Sequence, residues 1–120
     1  MIDILGRLLP LSIRACYEQG ELGQVVSQAK AYLEENWRRI LDLLTEQLLP
    51  MHNEDWQDED DPPLGKADFL SALGTPDVNL WEEDAIMLLF PDGGLFSGHY
   101  LEVFVDGPAY GRKTSVQIVG

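Results

Sequence analysis

The longest hydrophobic pattern in the chain runs from Glu21 to Leu49 and has the spacing of a helix. Its apolar residues advance in steps of three and four, which places them on one stripe with polar residues opposite. The stripe consists of Leu22, Val25, Val26, Ala29, Leu33, Trp37, Ile40, Leu41, Leu44 and Leu48. The pattern predicts an amphipathic helix, continuous or broken near Asn36, that ends at or just before Pro50 because proline cannot donate a helical hydrogen bond. Such a stripe can form a coiled-coil seam, but the strands downstream favour packing on a sheet.

Three shorter segments surround this helix. Ile2 to Tyr17 has apolar residues at mixed helical spacings and predicts a first helix, interrupted or started afresh near Pro10. Lys66 to Leu73 predicts a short helix with Gly74 as its stop. Residues 51–63 are rich in carboxylates and close on two prolines, which predicts an acidic loop.

The last third of the chain has the pattern of strands. Val78–Trp81, Ala85–Phe90 and Thr114–Val119 are predicted strands, and another begins near Tyr100. Residues 85–90 are apolar on both faces, which indicates a strand covered on both sides or one whose outer face meets something else.

The strand near Tyr100 follows a turn at Asp92-Gly93-Gly94, whose glycines supply the positive φ angles that a reversal needs. Because side chains alternate along a strand, Leu101, Val103 and Val105 share one face, and Tyr100, Glu102 and Phe104 share the other. The polar Glu102 indicates that the second face is partly wet.

Helices first and strands second, with short connections between the strands, predict an α+β fold. In it a long amphipathic helix packs on a mostly antiparallel sheet of about four strands. We expect a single domain over residues 1–120, with a helical part at 1–50, an acidic loop and short helix at 51–76, and antiparallel strands at 77–120.

Composition places the chain among soluble globular domains. It has 120 residues, 45% hydrophobic and 24% charged. A single cysteine, Cys16, excludes an intrachain disulfide and a cysteine-only zinc site, and its apolar neighbours indicate an inert thiol. The N-terminus lacks a basic segment followed by a long apolar run, and no apolar stretch is long enough to span a membrane. We therefore expect a cytoplasmic location and no membrane partner.

Among the features of the composition, the charge says most about possible binding partners. The net charge is −13, and residues 51–120 hold fourteen acidic against three basic side chains. Six of the eight residues from Glu54 to Asp61 are carboxylates, and no Lys or Arg occurs between Arg39 and Lys66. Such a field repels nucleic acid and anionic membrane and attracts basic partners, although it can also serve solubility alone.

Few residues could carry catalysis. Only His52 and His99 can act as bases near neutral pH without a large pKa shift, and none of the common nucleophile, zinc or phosphate-binding motifs is present. The acidic loop lacks the calcium-loop pattern. We therefore expect no cofactor, no metal and no enzymatic activity.

His99 would share a face with Leu101 if the strand extends back that far, which would point it toward the helix. A histidine there is most often structural, donating a hydrogen bond to a carbonyl or an acid. Gly98 beside it would allow a bulge or close approach of backbone.

Three short motifs carry a family resemblance. Asn53-Glu54-Asp55-Trp56 has the form N-x-x-W, Phe96-Ser97-Gly98-His99 has the form F-x-G-H, and Ile118-Val119-Gly120 closes the chain as I-x-G. Together with the long helix before them, they resemble a family of small acidic bacterial domains of unknown function, over roughly residues 24–120. Such domains are similar to the immunity proteins of polymorphic toxin systems.

The resemblance implies an immunity protein that binds and neutralises a cognate toxin in interbacterial competition, through an acidic surface that meets a basic one such as that of a nuclease. The candidate partner-binding residues are Glu54, Asp55, Trp56, Asp58, Glu59, Asp60, Asp61, Glu82, Glu83, Asp84, Tyr100, Glu102 and Phe104. Gly98 and His99 are expected to have a structural role. Two alternatives remain: a small metal-dependent or His-based enzyme, and a dimeric structural or regulatory subunit.

Overall fold

The computed structural model describes residues 1–14, 18–57, 60–81, 85–106 and 113–120, with only the backbone described for Gln19 and Lys113. It shows seven strands, two α-helices and one turn of π-helix within those ranges. In chain order they are β1 (Ile2–Ile4), β2 (Arg7–Leu9), β3 (Leu11–Ile13), α1 (Gln19–Met51), the π-turn (His52–Trp56), α2 (Lys66–Ala72), β4 (Asp77–Leu80), β5 (Ile86–Pro91), β6 (Tyr100–Asp106) and β7 (Lys113–Val119). The expectation about Cys16 and the predicted turn at residues 82–84 lie outside the described residues.

The main sheet has five strands in the order β3-β4-β5-β6-β7. β3 pairs parallel to β4, with Leu11 opposite Val78, and the other three pairings are antiparallel. The α+β class and the mostly antiparallel sheet are thus confirmed, and the predicted count of four strands is one too low. The extra strand, β3, comes from the segment that was expected to be helical.

The predicted first helix is wrong, because the N-terminal residues form an antiparallel hairpin in which Ile2 lies opposite Leu9. Ile2, Ile4 and Leu9 are buried while Asp3 is exposed, so burial follows a period of two. Leu5 turns the chain with a φ of 53°, and the Gly6 N–H donates to Asp3 Oδ1 at 2.9 Å. Helices therefore do not fill residues 1–50.

Two side chains of α1 hold this hairpin. Lys30 Nζ donates to the Asp3 carbonyl at 2.6 Å, and Glu34 Oε2 accepts the Leu5 N–H at 3.0 Å. Lys30 and Glu34 also form an ion pair at 3.2 Å. The Leu5 N–H, helped by Lys30, holds the pKa of Glu34 below its ordinary value.

α1 confirms the long amphipathic helix, as one continuous rod. Six residues of its stripe are buried: Val25, Ala29, Leu33, Ile40, Leu44 and Leu48. The expected stop at Pro50 is wrong, because Pro50 lies inside the helix. The π-turn follows directly, and the His52 N–H contacts the carbonyls of Leu48 and Leu49. The first part of the predicted acidic loop is therefore helical.

α1 packs on one face of the sheet, as expected from the strands downstream. That face is buried and includes Leu88, Leu101, Val103 and Val105, so the predicted alternation of β6 is confirmed. The Trp37 and Phe90 rings lie 6.1 Å apart across this contact. The opposite face of the sheet remains partly exposed. No helix in the described part of the chain is both long and apolar enough to cross a membrane.

Candidate functional site

The structure brings the N-x-x-W and F-x-G-H segments into contact. The Trp56 ring centroid lies 5.5 Å from that of Phe96 and 5.6 Å from that of His99, both edge-on. His52 approaches the other side of Phe96, with centroids 5.6 Å apart. These four residues, the Phe96 cluster, join the end of the π-turn to the turn before β6. Phe96 is fully buried, whereas Trp56 remains 37% exposed.

Asn53 fixes the segment that follows the π-turn. Its side chain donates to the Leu64 carbonyl at 3.1 Å and accepts the Leu64 N–H at 3.0 Å. The Asn53 side chain thus binds both backbone groups of Leu64, as a residue on a neighbouring strand would. In addition, His52 Nδ1 lies 3.1 Å from Asn53 Oδ1. Asn53 therefore links residues on the two sides of the acidic segment, and the described carboxylates Glu54, Asp55, Asp60 and Asp61 lie between them in the sequence.

Replacing Asn53 by alanine is expected to release this loop. Two hydrogen bonds to Leu64 disappear, which costs about 1–2 kcal/mol and leaves the partly buried backbone of Leu64 unpaired. Hydrogen exchange at the Leu64 amide should accelerate accordingly. Asn36→Ala is the matched control, because Asn36 makes one bond, to a carbonyl of its own helix. Unchanged exchange at Leu64 in Asn53→Ala would show that the loop is held by other contacts.

Asp92 organises the turn that leads into β6. Its side chain is 4% exposed and accepts four backbone N–H groups: Gly94 on Oδ1, and Phe96, Gly98 and His99 on Oδ2, at 2.9–3.1 Å. Burial by itself raises the pKa of this carboxyl, but the four N–H groups together outweigh it, and the pKa lies below its ordinary value. The carboxylate therefore shapes residues 92–99 around one charged centre.

Asp92 is not among the residues that the sequence pattern proposes for the site, because the pattern Asp-Gly-Gly predicts only a turn. An aspartate before two glycines is a signal for side-chain capping of a turn. The number of backbone N–H groups that bind its carboxylate depends on the path of residues 95–99, which cannot be predicted from hydrophobic periodicity.

His99 lies just before β6, which begins at Tyr100, so the condition for its pointing with Leu101 is not met. It is half-buried, and its Nδ1 lies 2.5 Å from the Phe96 carbonyl. Because a carbonyl only accepts, Nδ1 carries the proton. Of the two expected partners, a carbonyl or an acid, the structure shows a carbonyl. No other part of the chain approaches Gly98 closely, since a Cβ placed there would meet nothing within 4 Å. The glycine instead provides a left-handed backbone conformation, with a φ of +87°.

The acidic candidates are divided by the structure. Glu54, Asp55, Asp60 and Asp61 are exposed, and in the described parts of the chain none of them forms an ion pair. Tyr100 is 46% exposed at the start of β6 and follows His99 in the sequence. The candidates Asp58, Glu59, Glu82, Glu83 and Asp84 lie outside the described residues.

Glu102 and Phe104 lie farther along β6, in a shallow groove on the open face of the sheet that Met87, Trp81 and Arg14 also line. Both are half-buried, which confirms the partly wet face. The structure does not place them in the Phe96 cluster. Among residues 1–14, 18–57, 60–81, 85–106 and 113–120, no three His, Cys, Asp or Glu side chains converge in a way that could hold a metal ion.

Comparison with known proteins gives one match. The model of a family described as "Uncharacterized protein conserved in bacteria (DUF2262)" matches residues 9–111, a range that includes both the N-x-x-W and the F-x-G-H segments. No curated protein and no solved structure matches the chain.

Proposed function

The chain belongs to the DUF2262 family of uncharacterized bacterial proteins, and we propose that it is an immunity protein that binds and neutralises a cognate bacterial toxin. The toxin would present a basic surface, such as the nucleic-acid cleft of a nuclease. The proposal includes a cytoplasmic location, where such a toxin would act. A single observation carries it: exposed carboxylates that form no ion pair within the described residues share a segment with a partly exposed tryptophan that packs on Phe96 and His99.

That arrangement, the Trp56 surface, consists of Glu54, Asp55, Trp56, Asp60 and Asp61. Trp56 is held by Phe96 and His99, and the acidic segment is closed by Asn53. A rigid surface loses little conformational entropy on binding, which favours affinity. The scaffold beneath it therefore supports a role in recognition.

Charge and aromatic area would act at different stages of binding. Carboxylates on a chain of net charge −13 accelerate encounter with a basic partner, by an amount that salt reduces. Most of the affinity of such interfaces comes from a few desolvated aromatic or arginine side chains. Trp56 supplies that kind of anchor, and Tyr100 is a second exposed aromatic side chain.

Neutralising part of the Trp56 surface is expected to weaken toxin binding. The variant Glu54→Gln/Asp60→Asn/Asp61→Asn should lower the association rate by about tenfold or more at low salt, with the difference shrinking at high salt. The partner to test is the C-terminal region of a large secreted protein encoded immediately upstream. Surface plasmon resonance measures the rates, and growth of cells that produce both proteins measures neutralisation.

The matched control removes the same charge elsewhere. Glu21, Glu35 and Glu46 are exposed on α1, and Glu21→Gln/Glu35→Gln/Glu46→Gln should bind nearly as the unchanged chain does. Equal losses in both variants would mean that overall charge, not this surface, drives binding. Failure of the unchanged chain to bind and protect against the toxin would overturn the immunity proposal.

A further inference from the structure

A cleft of about 600 Å³ lies between the β1–β2 hairpin, α1 and α2, apart from the Phe96 cluster. Trp37, Leu41, Leu70 and Phe90 form much of its apolar lining, and Thr75 contributes a hydroxyl. Clefts of roughly 300–1,000 Å³ with mostly apolar walls and a few polar groups are typical of small-molecule sites. The cleft therefore has the size of a small-molecule site, and its lining is a mixture of apolar and polar groups.

The charge of the cleft lining is positive, whereas the net charge of the protein is negative. Arg7 is the one charged residue among the described residues that line the cleft, in a chain of net charge −13. Arg7 is exposed on β2, and within the described ranges no carboxylate pairs with its guanidinium. An arginine that has no ion-pair partner can bind an external anion.

The nearest carboxylates do not cancel this charge within the cleft. Glu34 and Glu35 line a neighbouring groove on the Arg38 side, which shares Arg7 and Trp37 with the cleft. Glu34 is already engaged with the Leu5 N–H and with Lys30. The space between Arg7 and Phe90 thus keeps one cation and no anion among its described lining.

We propose that this cleft binds a small amphipathic carboxylate, with its head group on Arg7 and its apolar body against Trp37 and Phe90. A carboxylate fits better than a phosphate monoester, because a single guanidinium offers two parallel donors to two oxygens, whereas phosphate sites usually combine several cations or amides. This inference does not depend on the immunity proposal, which concerns a different surface.

The test uses octanoate as the carboxylate and 1-octanol as an uncharged molecule with the same chain. Binding is followed by the NMR signals of the three tryptophan indole N–H groups, with the Trp37 signal assigned by Trp37→Phe. Octanoate should shift the Trp37 signal in a saturable way and leave those of Trp56 and Trp81 in place. Arg7→Gln should weaken octanoate binding about tenfold and leave 1-octanol binding unchanged.

Arg39→Gln is the matched control, because Arg39 is exposed on α1 and lines neither concavity. It should bind octanoate like the unchanged chain, and Arg7→Lys should retain part of the affinity because it keeps the charge but loses the paired donors. The proposal is overturned if octanoate leaves the Trp37 signal unmoved, if all three indole signals shift together as for a detergent, or if Arg7→Gln and Arg39→Gln bind octanoate equally.

Discussion

Replacing Gly93 by alanine is expected to destabilise the protein by about 4 kcal/mol or more, the largest effect of any single substitution considered. A Cβ at this position would lie 1.9 Å from the Ala72 carbonyl oxygen and 2.7 Å from its carbon. Both are backbone atoms at the end of α2, so neither can rotate away. The φ of +62° adds the strain of a left-handed residue, worth roughly 1–2 kcal/mol. Urea unfolding followed by circular dichroism measures the loss.

Gly98→Ala separates these two contributions. Gly98 has a φ of +87°, but nothing lies within 4 Å of a Cβ placed there. It should lose only the conformational part, about 1–2 kcal/mol. If Gly93→Ala unfolds no more easily than Gly98→Ala, the close approach of the Asp92 turn to α2 is not a feature of the folded protein.

Replacing Asp92 by asparagine is expected to cost about 3 kcal/mol. An amide offers a single acceptor oxygen, and its NH₂ group would then face at least one of the four N–H donors that the carboxylate now satisfies. The exposed Asp77→Asn serves as the control and should change the free energy of unfolding by no more than about 0.5 kcal/mol. Similar unfolding curves for the two variants would contradict the assignment of Asp92 as the centre of the turn.

The effect of Asp92 should also depend on pH. Because its pKa is lowered in the folded protein, its carboxylate contributes stability that is fully present above the unfolded value of about 3.9. That contribution is lost as the pH falls through the folded pKa. The difference in stability between the unchanged chain and Asp92→Asn should therefore be constant near neutrality and shrink below about pH 4. A difference that grows on acidification would contradict the charged state assigned to Asp92.

The N-terminal residues show where hydrophobic spacing stops being informative. Ile4, Leu5, Leu8 and Leu9 fit a helical stripe as well as a hairpin, because a short apolar run satisfies both periods. The choice is made by contacts distant in sequence, since Lys30 and Glu34 bind the backbone of the hairpin turn. A leucine with positive φ at that turn also runs against local preference.

The strands and the long helix could be predicted because their burial follows their period. In β6 every second residue is buried, and in α1 the stripe of three- and four-residue steps meets the sheet. Pro50 indicated a wrong helix end, because the proline lacks a backbone donor and yet α1 and the π-turn continue past it.

Individual residues of the candidate site could be predicted from the sequence, but the contacts between them could not. Trp56 and His99 were both singled out, Trp56 as a candidate anchor and His99 as structural. Their contact across Phe96 depends on how Asp92 folds residues 92–99 and how Asn53 closes the acidic segment. Neither of those hydrogen-bonding roles leaves a periodic trace in the sequence.

Hydrogen exchange of the chain alone and in complex with its toxin tests most directly whether the Trp56 surface binds the toxin. The immunity proposal predicts new protection at the amides of residues 53–57, 60, 61 and 64 and at Tyr100, with α1 and the Arg7 cleft unchanged. Protection that falls instead on the exposed side of α1 or on the cleft, with the Trp56 surface unaffected, would contradict it.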